Sequence, residues 1–185
     1  DSDVIYPPVD LSRFDVDKST KGDYYLAVSR LVPYKRYDIT VEACTRLGKK
    51  LVVVGAGPEL KRLKKMAGPT IEFKGFMNDS EITELYHGCK AFIFPGEEDF
   101  GITPLEAMAC GKPVLAYAKG GVVETVVNGK TGVFFDRQSA ASLMDAIGEF
   151  EAKKFDAVSI SKHAQAFGEA RFIREIQQKA YQLLG

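Results

Sequence analysis

Two basic side chains follow the first apolar run of the chain, residues 24–29, at a place where they could bind a phosphorylated ligand. Arg30 comes directly after that run, and Lys35 follows in the next loop. A guanidinium offers a fork of donors and an ammonium offers a mobile point charge, so the pair could clamp a diphosphate. Taken alone, the same residues also fit an ordinary solvated basic loop.

An acidic cluster follows a later apolar run, residues 91–94. Glu98 lies in this cluster, where its carboxylate would repel phosphate but could accept hydrogen bonds from the hydroxyls of a sugar. Glu106 follows at a Glu-x7-Glu spacing, which a chain of this composition contains about once by chance. The interpretation therefore depends on the context, a strand before the pair and a helix after it.

The segment between these two glutamates predicts the start of a helix. Thr103 and Glu106 match a capping box, and Pro104 suits the first helical position. The free amides at such a helix start favour a phosphate oxygen, and Gly101 lets a ligand approach the backbone closely. For Glu106, the cap itself is the alternative to a ligand-binding role.

Paired glycines follow two further strands. Gly55 and Gly57 end the second apolar run, but the dinucleotide fingerprint needs a third glycine where this chain has Leu60, so a nicotinamide dehydrogenase is not favoured. Gly120 and Gly121 precede a helix that has no side-chain cap, so an anion could bind there. A tight turn is the alternative.

These residues lie in the loops of a regular alternation of strands and helices. Short apolar runs predict six strands, at 24–29, 50–54, 70–74, 91–94, 113–117 and 132–135. Helical periodicity predicts helices at 37–47, 58–67, 79–88, 104–110, 121–127 and 139–151, and two more between 155 and 184, broken near Phe167-Gly168. The pattern is typical of a doubly wound, Rossmann-like α/β domain with a mostly parallel six-stranded sheet and helices on both faces. Ligands of such domains bind at the carboxyl ends of the strands, where the candidate residues lie.

Composition excludes several classes of protein. The 185 residues carry 25 basic and 25 acidic side chains, so no net field draws the chain to nucleic acid. No stretch reaches the ~18 to 20 apolar residues that cross a bilayer, and the first residues lack the features of a signal peptide, which predicts a cytoplasmic protein. Residues 1–22, with two prolines and five aspartates, are expected to form an extended interdomain linker, and residues 23–185 one packed domain that starts near Asp23.

No metal site is predicted. Three cysteines lie far apart in apolar sequence, as expected for reduced, buried thiols: Cys44, Cys89 and Cys110. His87 and His163 lack partners at ligand spacing and are expected to be structural or surface residues. Two Asp-x-Asp matches, at 1–3 and 15–17, lie in the linker and not at the end of a strand.

Taken in order, the motifs resemble the donor-binding half of the retaining glycosyltransferases of family four, which have the two-domain GT-B fold. The motifs are Ser29-Arg30-Leu31 with Lys35, Val54-Gly55-Ala56-Gly57-Pro58, Phe73-Lys74-Gly75-Phe76, Pro95 to Ala109 with Gly111-Lys112-Pro113-Val114, Gly120-Gly121-Val122-Val123-Glu124, and Asn128-Gly129-Lys130-Thr131-Gly132. Together they cover most of the chain from Tyr24 to about Phe150, and the ordered set is far more specific than any one motif.

The resemblance implies a role for each matching charged residue. Arg30 and Lys35 would neutralise the diphosphate of a nucleotide sugar as it departs. Glu98 would hold the hydroxyls of the transferred sugar, and Glu106 would bind the ribose diol. The resemblance implies no cofactor and no metal, because protein cations and helix amides would stabilise the leaving group.

The resemblance also implies which backbone positions contact the donor: Gly55, Gly75, Phe76, Met77, Phe100, Gly101, Ile102, Thr103, Gly120 and Gly121. Among these, the backbone from Gly75 to Met77 would form the pocket for the base. Backbone amides near Phe100 and Gly101 would help to hold the transferred sugar. The amides of Ile102 and Thr103 would reach the diphosphate.

The resemblance further implies a larger enzyme. Residues 4–10 resemble the segment that joins the two halves of a GT-B enzyme, so an acceptor domain is expected before this chain, which alone would bind the donor without efficient turnover. The implied reaction is transfer of a hexose with retention of configuration, as in polysaccharide biosynthesis. The linker slightly favours the mannosyltransferases and hence GDP-mannose, with a UDP-hexose as the next choice. A lipid-linked acceptor would bring the protein to the inner face of the membrane.

Two other classes remain open at the level of sequence. A nucleotide-sugar epimerase of GT-B architecture would bind the same donor. A flavodoxin-like or receiver-like regulatory domain, which is not an enzyme, also fits the alternation of strands and helices. However, Arg30 and Gly75 occupy the places where a receiver would carry its acidic cluster and its phosphoacceptor aspartate.

Overall fold

The structure is a computed structural model that describes residues 4–184. In this part of the chain the strands are β1 Tyr25–Val28, β2 Leu51–Val54, β3 Ile71–Gly75, β4 Ala91–Phe94, β5 Val114–Tyr117 and β6 Gly132–Phe135. They form one parallel sheet in the order β3-β2-β1-β4-β5-β6, so the order reverses between β1 and β4. The predicted six-stranded, doubly wound fold is confirmed. Flavodoxin-like and receiver-like sheets have the order 2-1-3-4-5, so that alternative is wrong.

The helices follow the strands as the periodicity predicts. They are α1 Tyr37–Leu47, α2 Leu60–Met66, α3 Asp79–Gly88, α4 Ile102–Ala109, α5 Val122–Thr125, α6 Ala140–Ala152, α7 Ala157–Gln165 and α8 Glu169–Leu184. The break between α7 and α8 falls where it was expected. Helix α5 ends earlier than the predicted residue 127 because Val126 is extended and buried. Of the helices within residues 4–184, none combines the length and the apolar composition needed to span a bilayer.

Both faces of the sheet are covered. Alternate residues of β1 point in opposite directions: Leu26 and Val28 join the core with α3, α4 and α7, whereas Tyr25 and Ala27 join the core with α1, α2 and α6. Because helices cover both faces, consecutive strand residues are buried. This explains why the strands appear in the sequence as continuous apolar runs.

The packed domain begins earlier than the predicted boundary near Asp23. Three side chains from the segment 1–22 lie in the core, with exposed fractions of 3%, 6% and 5%: Val9, Leu11 and Phe14. The prediction was wrong because these apolar residues are isolated among prolines and aspartates and show no periodicity. A role of this segment as a link to a preceding domain stays a prediction.

The cysteines and histidines have structural roles, as predicted. The three cysteines are free and buried, and burial raises the pKa of each thiol to about 12. His87 is 4% exposed, and its Nε2 accepts a hydrogen bond from the Asp15 amide. His163 Nε2 lies 2.7 Å from the Thr125 carbonyl oxygen.

A carboxylate near the end of α6 binds three side chains at the amino edge of the sheet, on the side opposite to the candidate site. Glu151 accepts hydrogen bonds from Lys49 Nζ at 2.7 Å, from Lys90 Nζ at 2.7 Å and from the Tyr25 hydroxyl at 3.0 Å. Burial raises the pKa of Glu151, but these three donors outweigh it and lower the pKa to about 2.

Replacing Glu151 by glutamine should lower the free energy of unfolding at pH 7 by about 1 to 3 kcal/mol, because two ammonium groups lose their shared partner. Since the folded pKa lies below the ordinary value near 4.5, this stability is present above pH 4.5 and is lost as the pH falls towards about 2. Urea denaturation at pH 7 and pH 3 should therefore show a smaller difference between the variant and the wild type at pH 3. Glu149→Gln is the matched control, because its exposed pair with Lys153 contributes little. Equal losses for the two variants would contradict this account of Glu151.

Candidate functional site

The order of the sheet brings two loops together at its carboxyl edge. Strands β1 and β4 are neighbours, so the loop that carries Arg30 and Lys35 runs beside the loop that carries Glu98. Gly96 marks the contact, because a Cβ atom at that position would lie 3.3 Å from the Lys35 Cα. Lys35 and the acidic loop that carries Glu98 therefore lie side by side where the strand order reverses.

Lys35 and Glu98 form an ion pair. Lys35 Nζ donates a hydrogen bond to Glu98 Oε1, and the two side chains are 14% and 24% exposed. The sequence assigned the two residues separate roles, one with the diphosphate and one with the sugar, and did not predict this pairing. Each charge neutralises the other, so a ligand that binds either group competes with this ion pair.

A cleft of about 360 Å³ opens beside the ion pair. Its lining comes from the linker, from the loop after β1 and from the loop that leads into α4: Pro7, Ser29, Lys35, Glu98, Asp99, Phe100, Gly101, Ile102 and Thr103. The first-turn amides of Ile102 and Thr103 have no acceptor inside the helix. The cleft thus combines a cation and free amides, which can bind a phosphate, with a carboxylate, which can accept hydrogen bonds from hydroxyls.

Helix α4 starts two residues before the predicted position. Ile102 is its first residue, Gly101 is the N-cap with a φ of 86°, and no side chain caps the helix. The predicted capping box of Thr103 and Glu106 is therefore wrong, because glycine adopts this positive φ without strain and turns the chain into the helix first. Pro104 becomes the third helical residue, where its missing amide proton costs no hydrogen bond.

A second, mostly apolar cleft of about 270 Å³ lies beside the first and shares Ser29 with it. Its lining comes from the ends of β1 and β2 and from residues near α3: Val28, Ser29, Arg30, Val54, Gly55, Ala56, Phe76, Met77 and Ile82. Phe76 is 88% exposed and offers an aromatic surface for stacking. Gly75, at the end of β3, accepts a hydrogen bond from the Gly55 amide at 2.7 Å. Within residues 4–184, the exposed Arg30 side chain has no ion-pair partner.

Glu106 lies on α4 outside the lining of both clefts, and each of its oxygens accepts one hydrogen bond. Oε1 accepts a hydrogen bond from Arg13 Nη2 at 3.2 Å, and Oε2 accepts one from the Tyr86 hydroxyl at 3.0 Å. Burial and the neighbouring carboxylate raise the pKa of Tyr86 well above its ordinary value, so the phenol remains a donor. The sequence did not indicate that Arg13 and Tyr86 contact Glu106. No local signal could have found Arg13, because 93 residues separate it from Glu106.

The paired glycines after β5, Gly120 and Gly121, pack against the acidic loop, residues 95–101. The Gly121 amide donates to the Glu98 carbonyl oxygen at 2.8 Å, and a Cβ atom on Gly120 would lie 2.4 Å from the same oxygen. Helix α5, which follows, has only four residues. The structure therefore gives Gly120 and Gly121 a packing role, and their direct contact with a donor stays a prediction.

The linker also touches the acidic loop, which the sequence did not indicate. The Tyr6 hydroxyl donates to Glu124 Oε2 at 2.5 Å, and the Tyr6 ring stacks on Phe100 with 5.8 Å between centroids. Tyr6 thereby connects the segment before the sheet to a loop that lines the first cleft.

The second Asp-x-Asp match of the linker, at 15–17, forms part of a short helical turn. Asp15 accepts a hydrogen bond from the Asp17 amide at 2.9 Å and so caps the short helical turn Val16–Lys18. The match at 1–3 lies outside the residues that the structure describes. Within residues 4–184, no group of three His, Cys, Asp or Glu side chains is placed to hold a metal ion.

The chain is similar in sequence to known proteins. The sequence profile of the family described as "Glycosyl transferases group 1" matches residues 9–171. The GDP-mannose-dependent alpha-(1-6)-phosphatidylinositol monomannoside mannosyltransferase of Mycobacterium tuberculosis is 31% identical in an alignment that covers 83% of this chain and 48% of that protein. The glycogen synthase of Pseudomonas aeruginosa is 32% identical in an alignment that covers 69% of this chain and 26% of that protein. The chain thus spans about half of the mannosyltransferase and a quarter of the synthase.

Solved structures share the fold. Sucrose-phosphate synthase from Thermosynechococcus elongatus superposes with a TM-score of 0.82 at 24% identity, over 98% of this chain and 52% of that chain. Anabaena HepE in complex with UDP-glucose superposes with a TM-score of 0.80 at 24% identity, over 97% of this chain and 57% of that chain. At this level of identity the likeness concerns the fold alone.

Proposed function

Because the chain belongs to the group 1 glycosyl transferases, we propose that it is the donor-binding half of a hexosyltransferase that takes its sugar from GDP-mannose with retention of configuration. The observation that carries the proposal is a pair of adjoining clefts at the edge where the strand order reverses, one lined by Lys35, Glu98 and free helix amides and the other by Arg30. Family membership supports transfer of a sugar. The named donor of the mycobacterial mannosyltransferase supports GDP-mannose.

In this proposal the diphosphate lies at the mouth of the first cleft. Arg30 and Lys35 approach it from the loop after β1, and the amides of Ile102 and Thr103 approach it from α4. When the bond between the sugar C1 and the diphosphate oxygen breaks, negative charge grows on the diphosphate, and these fixed donors stabilise it. These groups supply positive charge at the leaving diphosphate, so we propose that the donor binds without metal.

The sugar and the nucleoside would occupy opposite sides of the diphosphate. Glu98 would accept hydrogen bonds from the hexose hydroxyls, with the amides of Phe100 and Gly101 nearby. The base would lie in the second cleft against Phe76 and Met77, whose apolar surface suits a flat ring. Glu106 would accept the ribose hydroxyls.

We place the acceptor site in a part of the protein outside this chain, because the chain spans about half of the mycobacterial relative. The name of that relative includes a phosphatidylinositol monomannoside, which is a lipid. We therefore propose a lipid-linked acceptor, which would bring the complete protein into peripheral contact with the cytoplasmic face of a membrane.

Calorimetric titration with GDP, UDP, GDP-mannose and UDP-glucose, with and without a chelator, tests the donor assignment. We expect saturable binding of the two guanosine nucleotides that the chelator does not change. In Arg30→Ala the affinity for GDP should fall about tenfold or more while that for guanosine is unchanged, because the lost hydrogen bonds go to the charged diphosphate. Arg46→Ala, which removes an exposed pair with Glu42, is the control.

Three results would count against the proposal. Binding of uridine nucleotides alone would replace GDP-mannose by a UDP-hexose. A requirement for a divalent cation would remove the metal-free leaving-group role of the protein cations. Absence of binding for every nucleotide would overturn the donor-binding role itself.

A further inference from the structure

Arg13 connects three elements, namely the segment before β1, helix α3 and helix α4. Its Nη2 lies 3.2 Å from Glu106 Oε1 on α4, and its Nη1 lies 2.5 Å from Asp79 Oδ2 at the start of α3. Its guanidinium also lies over the ring of Phe14, 4.9 Å from the centroid. Arg13 belongs to the segment before β1, so the guanidinium reaches the site from outside the sheet.

Glu106 is held from two directions by these contacts. Arg13 binds one carboxylate oxygen, and the fully buried Tyr86 binds the other at 3.0 Å. Phe14 in turn packs edge-on against Tyr86, with 5.7 Å between centroids. The two donors therefore belong to one packed unit, which restricts the rotation of the Glu106 side chain.

The carboxylate still has capacity for a ligand. An ionised carboxylate has about four lone-pair sites, and Arg13 and Tyr86 together use two of them. The remaining sites match the two neighbouring hydroxyls of a ribose, provided that the carboxylate keeps one orientation. The Glu106 side chain is only 13% exposed, so without the guanidinium its charge would be poorly compensated and free to turn.

We propose that Arg13 is a positioning residue, which fixes the Glu106 carboxylate in the orientation that accepts the ribose hydroxyls of the donor and so determines the preference for ribonucleotides. This inference rests on the proposed function, since it assigns the partner of Glu106 in the same donor site. Arg13 itself touches the carboxylate and not the nucleotide. Its loss should therefore affect ligands with ribose hydroxyls and leave ligands without them unaffected.

The test compares GDP with 2′,3′-dideoxy-GDP by calorimetry. The wild type should prefer GDP by about tenfold or more, because hydrogen bonds to a charged group are lost in the dideoxy ligand. In Arg13→Ala this preference should fall to about twofold or less, while the affinity for the dideoxy ligand changes by less than about twofold. Arg13→Lys should retain part of the preference, since an ammonium can reach one carboxylate but cannot span two as a guanidinium does.

Further variants separate positioning from a general structural role. Adding Arg13→Ala to Glu106→Gln should cause no further loss of preference, because the residue that Arg13 positions is already impaired. Arg46→Ala should leave the preference unchanged. If Arg13→Ala kept or increased the preference for GDP over the dideoxy ligand, the inference would be overturned. It would also be overturned if Arg13→Ala lost equal affinity for both ligands and melted at a lower temperature. If the wild type bound neither ligand, the proposed function would fall and the inference with it, whereas binding with an unaltered preference overturns the inference alone.

Discussion

Replacing Lys35 by alanine should weaken the binding of a nucleoside diphosphate by about ten- to a hundredfold and leave the binding of the nucleoside unchanged. The effect has two sources. The variant loses a cation that approaches the diphosphate, and it leaves Glu98 without its partner in the same cleft. An uncompensated carboxylate there would repel the ligand. Calorimetric titration with GDP and with guanosine measures the two affinities.

The pairing of Lys35 with Glu98 makes this prediction testable by a double-mutant cycle. Glu98→Gln alone should bind GDP more tightly than the wild type, because the substitution releases Lys35. The double variant should recover part of the affinity that Lys35→Ala loses, since the repulsive carboxylate is gone. Lys153→Ala, which removes an exposed pair on α6, is the matched control. Strictly additive effects would show that the ion pair does not compete with the ligand.

Replacing Gly121 by alanine should both destabilise the domain and abolish most of its nucleotide affinity. An added Cβ atom would lie 2.1 Å from the Asp99 carbonyl oxygen and 2.6 Å from the Phe100 Cα. These are backbone atoms of the acidic loop, so the loop itself must move. We expect a loss of about 1 to 3 kcal/mol in the free energy of unfolding, typical of an inserted methyl group in a packed site. Displacing the loop should also break the hydrogen bond from the Gly121 amide to Glu98.

Gly148 offers a matched control on α6. An added Cβ atom there meets nothing within 4 Å, and the residue lies inside a helix. Gly148→Ala should therefore stabilise the domain by about 0.5 to 1 kcal/mol without changing nucleotide affinity. Urea denaturation and GDP titration of both variants give the comparison. A Gly121→Ala protein as stable as the wild type, with the same affinity, would mean that the two loops do not need this close contact.

Local signals in the sequence determined the elements of the domain and the kind of chemistry in its loops. Apolar runs of strand length and stretches of helical period placed the strands and helices within a few residues of their observed ends. Residues after those strands, such as Arg30 and Glu98, could be assigned to one edge because parallel strands end on the same side. The start of α4 was misplaced because the Thr103-Pro104 signal describes a generic cap, whereas the positive φ of Gly101 depends on how the loop packs.

Only the tertiary structure decided which of these groups touch. Lys35 contacts Glu98, 63 residues away, because the order of the sheet places β4 beside β1. Arg13 contacts Glu106, 93 residues away, because the neighbouring Leu11 and Phe14 are buried in the core and hold the segment before β1 against the domain. Periodicity reports whether a residue is buried, but it does not report which distant residue it packs against. Such partners are selected when the apolar faces of separate segments assemble into one core, and the polar groups beside them are then held at fixed distances.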